Sequence, residues 1–108
     1  MAHIISSDAL ITRVAALFEK CGSTAQEANE VATNLVMANL SGHDSHGVGM
    51  APRYVDAVLE GNLKPNAAVL IQKDHGMMLG LDGGTGYGQI VGVQAMALAF
   101  ERASQHGC

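Results

Sequence analysis

The chain has 108 residues, is 48% hydrophobic and carries a net charge of −4 with only six Lys plus Arg. That is the size of one domain or part of one, with enough apolar residues to bury a core. The sparse, unclustered cations exclude a nucleic-acid or anionic-membrane face, and Cys21 and Cys108 form neither a disulfide framework nor a Cys-x-x-Cys pair. With no basic leader and no run near the ~18 apolar residues of a membrane span, a cytoplasmic protein is expected.

Ser6 or Ser7 can cap a first helix whose apolar residues Leu10, Ile11, Val14, Leu17 and Phe18 recur at helical spacing, and Gly22 ends it. Thr24-Ala25-Gln26-Glu27 reads as a capping box opening a second helix, with Ala28, Val31, Ala32, Leu35 and Val36 inward and a stop near Gly42. The two are predicted to pair as an antiparallel hairpin. Pro52 suits the first turn of a third helix with Tyr54, Val55, Val58 and Leu59 on its apolar face and Gly61 at its end; Asn62 to Asn66 is a turn-rich connector.

The period then changes. Val69, Leu70 and Ile71 form one apolar run, Asp74-His75-Gly76 is turn chemistry, and Met77 to Leu81 is a second run, which together predict a β-hairpin or two adjacent strands. After the glycine-rich stretch from Gly83 to Gly88 comes a helix from Gln89 to His106, with Val91, Ala95, Met96, Leu98, Ala99 and Ala103 as packed positions and Gly107 as its cap. The fold class predicted is α+β, with a helical portion over 1–66 and the beginning of a sheet-containing portion over 67–108. A lone hairpin leaves its edges unpaired, so these residues are expected to be the N-terminal part of a larger protein, with some apolar surface meeting elements outside them.

Between the second and third helices, Gly42-His43-Asp44-Ser45-His46-Gly47-Val48-Gly49-Met50 places the His46 imidazole on a glycine-flanked loop. With an ordinary pKa near ~6.5, such a ring takes or gives a proton at cellular pH, and flanking helices can aim it at a substrate. A polar loop residue or helix cap is the competing reading. His43 and His46, with Asp44 as their only near companion, fall short of the ligands a metal needs, so no metal is expected. Adjacent Asp44, Ser45 and His46 make a poor hydrolytic triad, and Ser45 lacks a Gly-x-Ser-x-Gly elbow. Gly84, Gly86 and Gly88 are spaced G-x-G-x-G rather than G-x-G-x-x-G, which is not a Rossmann fingerprint. Close backbone packing and contact with a cofactor or substrate both stay open for this turn.

The stretch from Asn39 to Val55, with Leu81-Asp82-Gly83-Gly84-Thr85-Gly86-Tyr87-Gly88-Gln89, resembles the malate/L-lactate dehydrogenase family of NAD(P)-dependent 2-hydroxyacid oxidoreductases, and the likeness runs through nearly the whole chain. The resemblance implies a non-Rossmann cofactor-binding domain built on a mostly antiparallel sheet, NAD or NADP as cofactor, a small 2-oxo or 2-hydroxy acid as substrate, and a homodimer. It makes His46 the catalytic acid/base and Ser45 the group that bonds the substrate or orients the imidazole, with Asp44 as a partner for His43 or His46. Several relatives carry an arginine where this chain has Met50. Arg53, one helical turn further on, is then the candidate for the substrate carboxylate, and Met50 the wall of a pocket admitting a larger apolar group. Gly86, Gly88 and Gln89 match a segment near the cleft and are candidate cofactor contacts. A further Asn-Ser-x-His-type motif is implied beyond residue 108, so residues 1–108 alone are expected to bind NADH or NADPH weakly and to be inactive. A reading of another class is a non-catalytic helical module that associates through its unmatched apolar surface.

Overall fold

The computed structural model describes residues 3–108. They form α1 (Ser7–Lys20), α2 (Ala25–Leu40), two short 3-10 turns (Asp44–His46 and Val48–Met50), α3 (Ala51–Leu59), β1 (Leu70–His75), β2 (Met78–Asp82) and α4 (Gly88–His106). The α+β class holds, with three helices preceding one antiparallel hairpin and a fourth helix after it.

Local chemistry sets the helix boundaries. Ser6 accepts a hydrogen bond from the Ala9 N–H, and Thr24 Oγ1 accepts one from the Glu27 N–H, each satisfying a first-turn donor that the helix itself leaves unpaired. The C-termini of α1, α2 and α3 end alike, with Gly22, Gly42 and Gly61 at φ 105°, 78° and 80°. In each, the glycine N–H and the next N–H reach back to two of the last helical carbonyls, as in Gly42 to Asn39 and His43 to Ala38. A residue with a Cβ enters that left-handed conformation only at a cost, which is why glycine stands there.

The capping box forms only in half. Glu27 does not return to the Thr24 N–H; its carboxylate accepts from the Ser23 hydroxyl at 2.7 Å and from the Asn66 N–H at 2.8 Å. Asn66 completes the exchange, its side chain accepting from the Thr24 N–H at 2.9 Å and donating to the Gly22 carbonyl at 2.8 Å. Glu27 is only 6% exposed, and a buried carboxylate requires donors of this kind. The result ties the 62–66 connector to the start of α2.

The core lies between α1 and α2. Val14, Ala15 and Phe18 meet Ala28, Val31, Ala32 and Leu35, joined by Ala51 of α3 and by Tyr87 and Ile90 at the start of α4. Three aromatic rings converge there: the Phe18 centroid lies 6.2 Å from Tyr54 and 5.7 Å from Tyr87, and the two tyrosines are 5.8 Å apart. Such pairs contribute roughly 0.5–1.5 kcal/mol each beyond their buried area, and here they draw α3 and the start of α4 onto α1. Leu17 and Leu59, expected inward, are exposed; α3 meets the core through Ala51 and Tyr54, which leaves its far end uncovered.

The hairpin turn falls one to two residues later than the sequence predicts. The ladder continues through Asp74↔Leu79 and His75↔Met78, leaving Gly76 and Met77 as the loop, with Gly76 at φ 66°. Positive φ at the first loop position only is the glycine-first hairpin geometry. Arg102 of α4 supplies the reason that Asp74 stays in the strand: its guanidinium donates to both carboxylate oxygens and to the Gly76 carbonyl. All of β1 is exposed, so the sheet does not cover the core. In α4 only Ile90 is buried. Val91, Ala95, Leu98 and Ala103 are half-buried, whereas Met96 and Ala99, predicted as packed positions, are exposed. A 19-residue helix is roughly 28 Å long, and this one touches the core at one end. Among the described residues, no helix is long and apolar enough to cross a membrane.

Candidate functional site

The glycine cap at Gly42 turns the chain out of α2 and delivers it into two consecutive 3-10 turns, closed by His46 N–H to the His43 carbonyl at 3.0 Å, Gly47 N–H to Asp44 at 3.1 Å and Met50 N–H to Gly47 at 3.0 Å. His43, Asp44, Ser45 and His46 stand exposed on the first turn. Ser45 Oγ and His46 Nδ1 share a hydrogen bond of 2.9 Å, and among the described residues Nε2 has no partner. The His43 ring stacks on the His46 ring with centroids 4.2 Å apart and planes tilted by 43°. The site therefore offers one imidazole with a tethered nitrogen and a free one, the arrangement that proton transfer requires.

Asp44 departs from expectation. Its carboxylate accepts from Asn39 Nδ2 at 2.8 Å rather than from either histidine. As the first residue of its turn, Asp44 lies beside the last turn of α2, where Asn39 sits. The Asn39 carbonyl oxygen in turn accepts from the Val48 N–H at 2.8 Å. Gly47 lies buried against this side chain, and a Cβ built on it would fall 2.2 Å from Asn39 Oδ1. Sequence reasoning assigned Asn39 no role. The available signals were its position in the last turn of a helix before a glycine-rich loop and its place at the start of the family-like stretch.

The remaining candidates divide between the loop and the core. Arg53 is exposed in the first turn of α3 and makes no ion pair among the described residues. Met50 is half-buried and packs against the core cluster. Gln89 donates to the Tyr54 hydroxyl at 3.1 Å, joining the start of α4 to α3. Gly86 is pressed between Ala67 and Val91, where a Cβ would meet atoms at 2.8 and 3.0 Å, whereas Gly88 faces open space. The first is thus a packing glycine, and the second leaves its backbone approachable. A separate open cleft of about 400 Å³, lined by Thr24, Glu27, Glu30, Asn66, Ile90 and Gln94 among others, lies at the opposite end of α2 and contains none of the loop residues. Among the described residues, no group of three or more His, Cys, Asp or Glu converges on a point where a metal could sit.

This order of elements recurs in known proteins. The malate/L-lactate dehydrogenase family model matches residues 5–108, and the chain belongs to that family. Hydroxycarboxylate dehydrogenase B of Escherichia coli O157:H7 is 44% identical over 105 residues, covering 97% of this chain and 29% of the relative. Malate dehydrogenase of Pyrococcus abyssi is 40% identical over 103 residues, covering 95% and 28%. A solved structure from E. coli, assigned as a malate/lactate dehydrogenase, superposes with a TM-score of 0.90 at 42% identity, covering 98% of this chain and 30% of that one. The chain thus spans about 30% of the length of the relatives it matches.

Proposed function

We propose that this chain supplies the proton-transfer loop of an NAD(P)-dependent oxidoreductase that interconverts 2-oxo and 2-hydroxy acids. The observation that carries the reading is His46, exposed on its loop with Nδ1 engaged by Ser45 and Nε2 without a partner among the described residues. With Ser45 Oγ accepting from Nδ1–H, the transferable proton sits at Nε2. In the reducing direction Nε2–H gives its proton to the substrate carbonyl oxygen; in the oxidising direction neutral Nε2 takes the proton of the hydroxyl. In that arrangement Nδ1 keeps its hydrogen in both directions, and Ser45 orients the ring. Arg53, exposed and in no ion pair among the described residues, supplies a planar pair of donors for the substrate carboxylate. Met50 bounds the side of the pocket that receives the substrate's side group.

When bound, the nicotinamide supplies or accepts the hydride. Gly88 and Gln89 fit an edge contact with it, because Gly88 opens on free space at the start of α4. Ala67 and Val91 press on Gly86 from the side where a Cβ would stand, which favours a packing role for it. No Lys or Arg occurs between Lys73 and Arg102, so the cofactor's phosphates are met by other parts of the protein, and residues 1–108 alone bind NAD or NADP weakly. We place proton transfer in 1–66 and the beginning of the cofactor-binding part in 67–108. The free thiols Cys21 and Cys108 agree with a cytoplasmic location. The assembly is read as a homodimer; the exposed Val93, Met96 and Phe100 on α4 suit either the rest of the protein or a partner, and are also what a purely associating, non-catalytic module would present.

The test is NADH and NADPH oxidation by the full-length protein with a panel of 2-oxo acids, comparing wild type with His46→Ala. Loss of about 10²- to 10⁴-fold in kcat is the expected outcome for removal of a positioned acid/base. Undiminished turnover by the folded variant would overturn the assignment.

A further inference from the structure

Resting on the reading of His46 as the acid/base, we propose that Asn39 is a positioning residue for it, tying both flanks of the Ser45-His46-Gly47 segment to the end of α2. One amide does both jobs. Nδ2 donates to Asp44 Oδ1 at 2.8 Å on the N-terminal side, and Oδ1 accepts from the Val48 N–H at 2.8 Å on the C-terminal side. The three residues between these anchors contain the serine and the imidazole.

The geometry is specific to a carboxamide. An alanine or leucine at 39 offers neither bond. An aspartate keeps an acceptor for Val48 but sets a second carboxylate against Asp44. Gly47 completes the arrangement, because any side chain there would occupy the place of the Asn39 amide. Without Asn39, the loop keeps the His43 N–H bond to the Ala38 carbonyl at its root and the 3-10 bonds from His46 to His43 and from Gly47 to Asp44, which shape the turn but leave its Val48 side untied to α2. Misplacing a reacting group by about 1 Å costs on the order of 10²-fold in rate, so Asn39 acts through the aim of His46 rather than by touching substrate.

The experiment uses the full-length protein and three variants: Asn39→Asp, the polarity swap Asn39→Asp with Asp44→Asn, and His46→Ala as the floor. Asn39→Asp is expected to lower kcat about 10- to 100-fold while leaving the KM for the nicotinamide cofactor within twofold. The swap restores a donor at 44 facing an acceptor at 39 and is expected to recover kcat to within a few-fold of wild type. A kcat for Asn39→Asp within twofold of wild type, or a swap no better than the single variant, overturns the proposal. ¹⁵N spectra of the His46 ring separate this outcome from failure of the underlying reading. In Asn39→Asp the His46 ring resonances are expected to move from their wild-type positions and to return to them in the swap. If His46→Ala stays active, the catalytic reading falls and the spectra decide the positioning alone; an unchanged His46 ring signal in folded Asn39→Asp overturns it.

Discussion

Replacing Gly47 with alanine isolates the contact between the loop and α2. The Gly47 backbone is extended, at φ −89° and ψ −155°, so an alanine there incurs no left-handed strain. Its methyl group would lie 2.2 Å from Asn39 Oδ1 and 2.4 Å from Asn39 Cγ, closer than atoms approach, and the amide must swing away. Asn39 then gives up its bonds to Asp44 and to the Val48 N–H. At about 1 kcal/mol net for each, Gly47→Ala destabilises the protein by roughly 2 kcal/mol. In an Asn39→Ala background the obstruction and both bonds are already gone. There the same change is expected to be neutral, or to stabilise by about 0.5 kcal/mol through the lower entropy of the unfolded chain. The two substitutions therefore couple by roughly 2 kcal/mol in a double-mutant cycle, read from urea unfolding followed by far-UV circular dichroism. Equal costs for Gly47→Ala in the two backgrounds would show that the packing of the loop on Asn39 does not set its stability.

Two further outcomes follow from the buried polar groups. Glu27→Ala strips the Ser23 hydroxyl and the Asn66 N–H of a charged acceptor and is expected to cost about 2–4 kcal/mol, with Glu27→Gln costing less because it keeps one acceptor oxygen; a urea midpoint shift at constant slope measures it. The Tyr87 hydroxyl is buried without a hydrogen-bond partner among the described residues. Burial holds its pKa above the ordinary value of 10.0, offset only in part by Ser23, whose proton goes to Glu27. The folded protein thus keeps that proton to higher pH than the unfolded chain, so stability is intact below pH 10.0 and declines as pH rises further. Tyr87→Phe is expected to flatten the decline while leaving the protein at least as stable at neutral pH; an unchanged alkaline limb in unfolding measurements would contradict this.

What the sequence disclosed follows the range of the interactions involved. The helices, their serine and threonine caps and their glycine ends rest on contacts within a few residues, and all were legible, as was the inward row from Ala28 to Val36. Longer-range chemistry was not. Glu27 abandoned its predicted reciprocal bond because Asn66, 39 residues away, supplies a better donor, and the hairpin turn moved because Arg102 holds Asp74 in the strand from 28 residues away. The histidine loop was recognisable from its composition and its family resemblance. The Asn39 contact needed the three-dimensional meeting of a helix end, an aspartate and a glycine, which no periodicity encodes. The α4 positions were misjudged for a different reason: helical spacing marks an apolar face without saying whether these residues contain anything to cover it.

The three-ring contact at the core has a practical consequence. The chain contains no tryptophan and two tyrosines, and both tyrosines sit in that contact, one on α3 and one at the entrance to α4, against Phe18 of α1. Within residues 1–108, intrinsic tyrosine emission therefore reports on a single junction. Loosening of α3 or of the start of α4 registers in that light while helical circular dichroism is still unchanged, so the segment that follows the histidine loop can be watched without attaching any label.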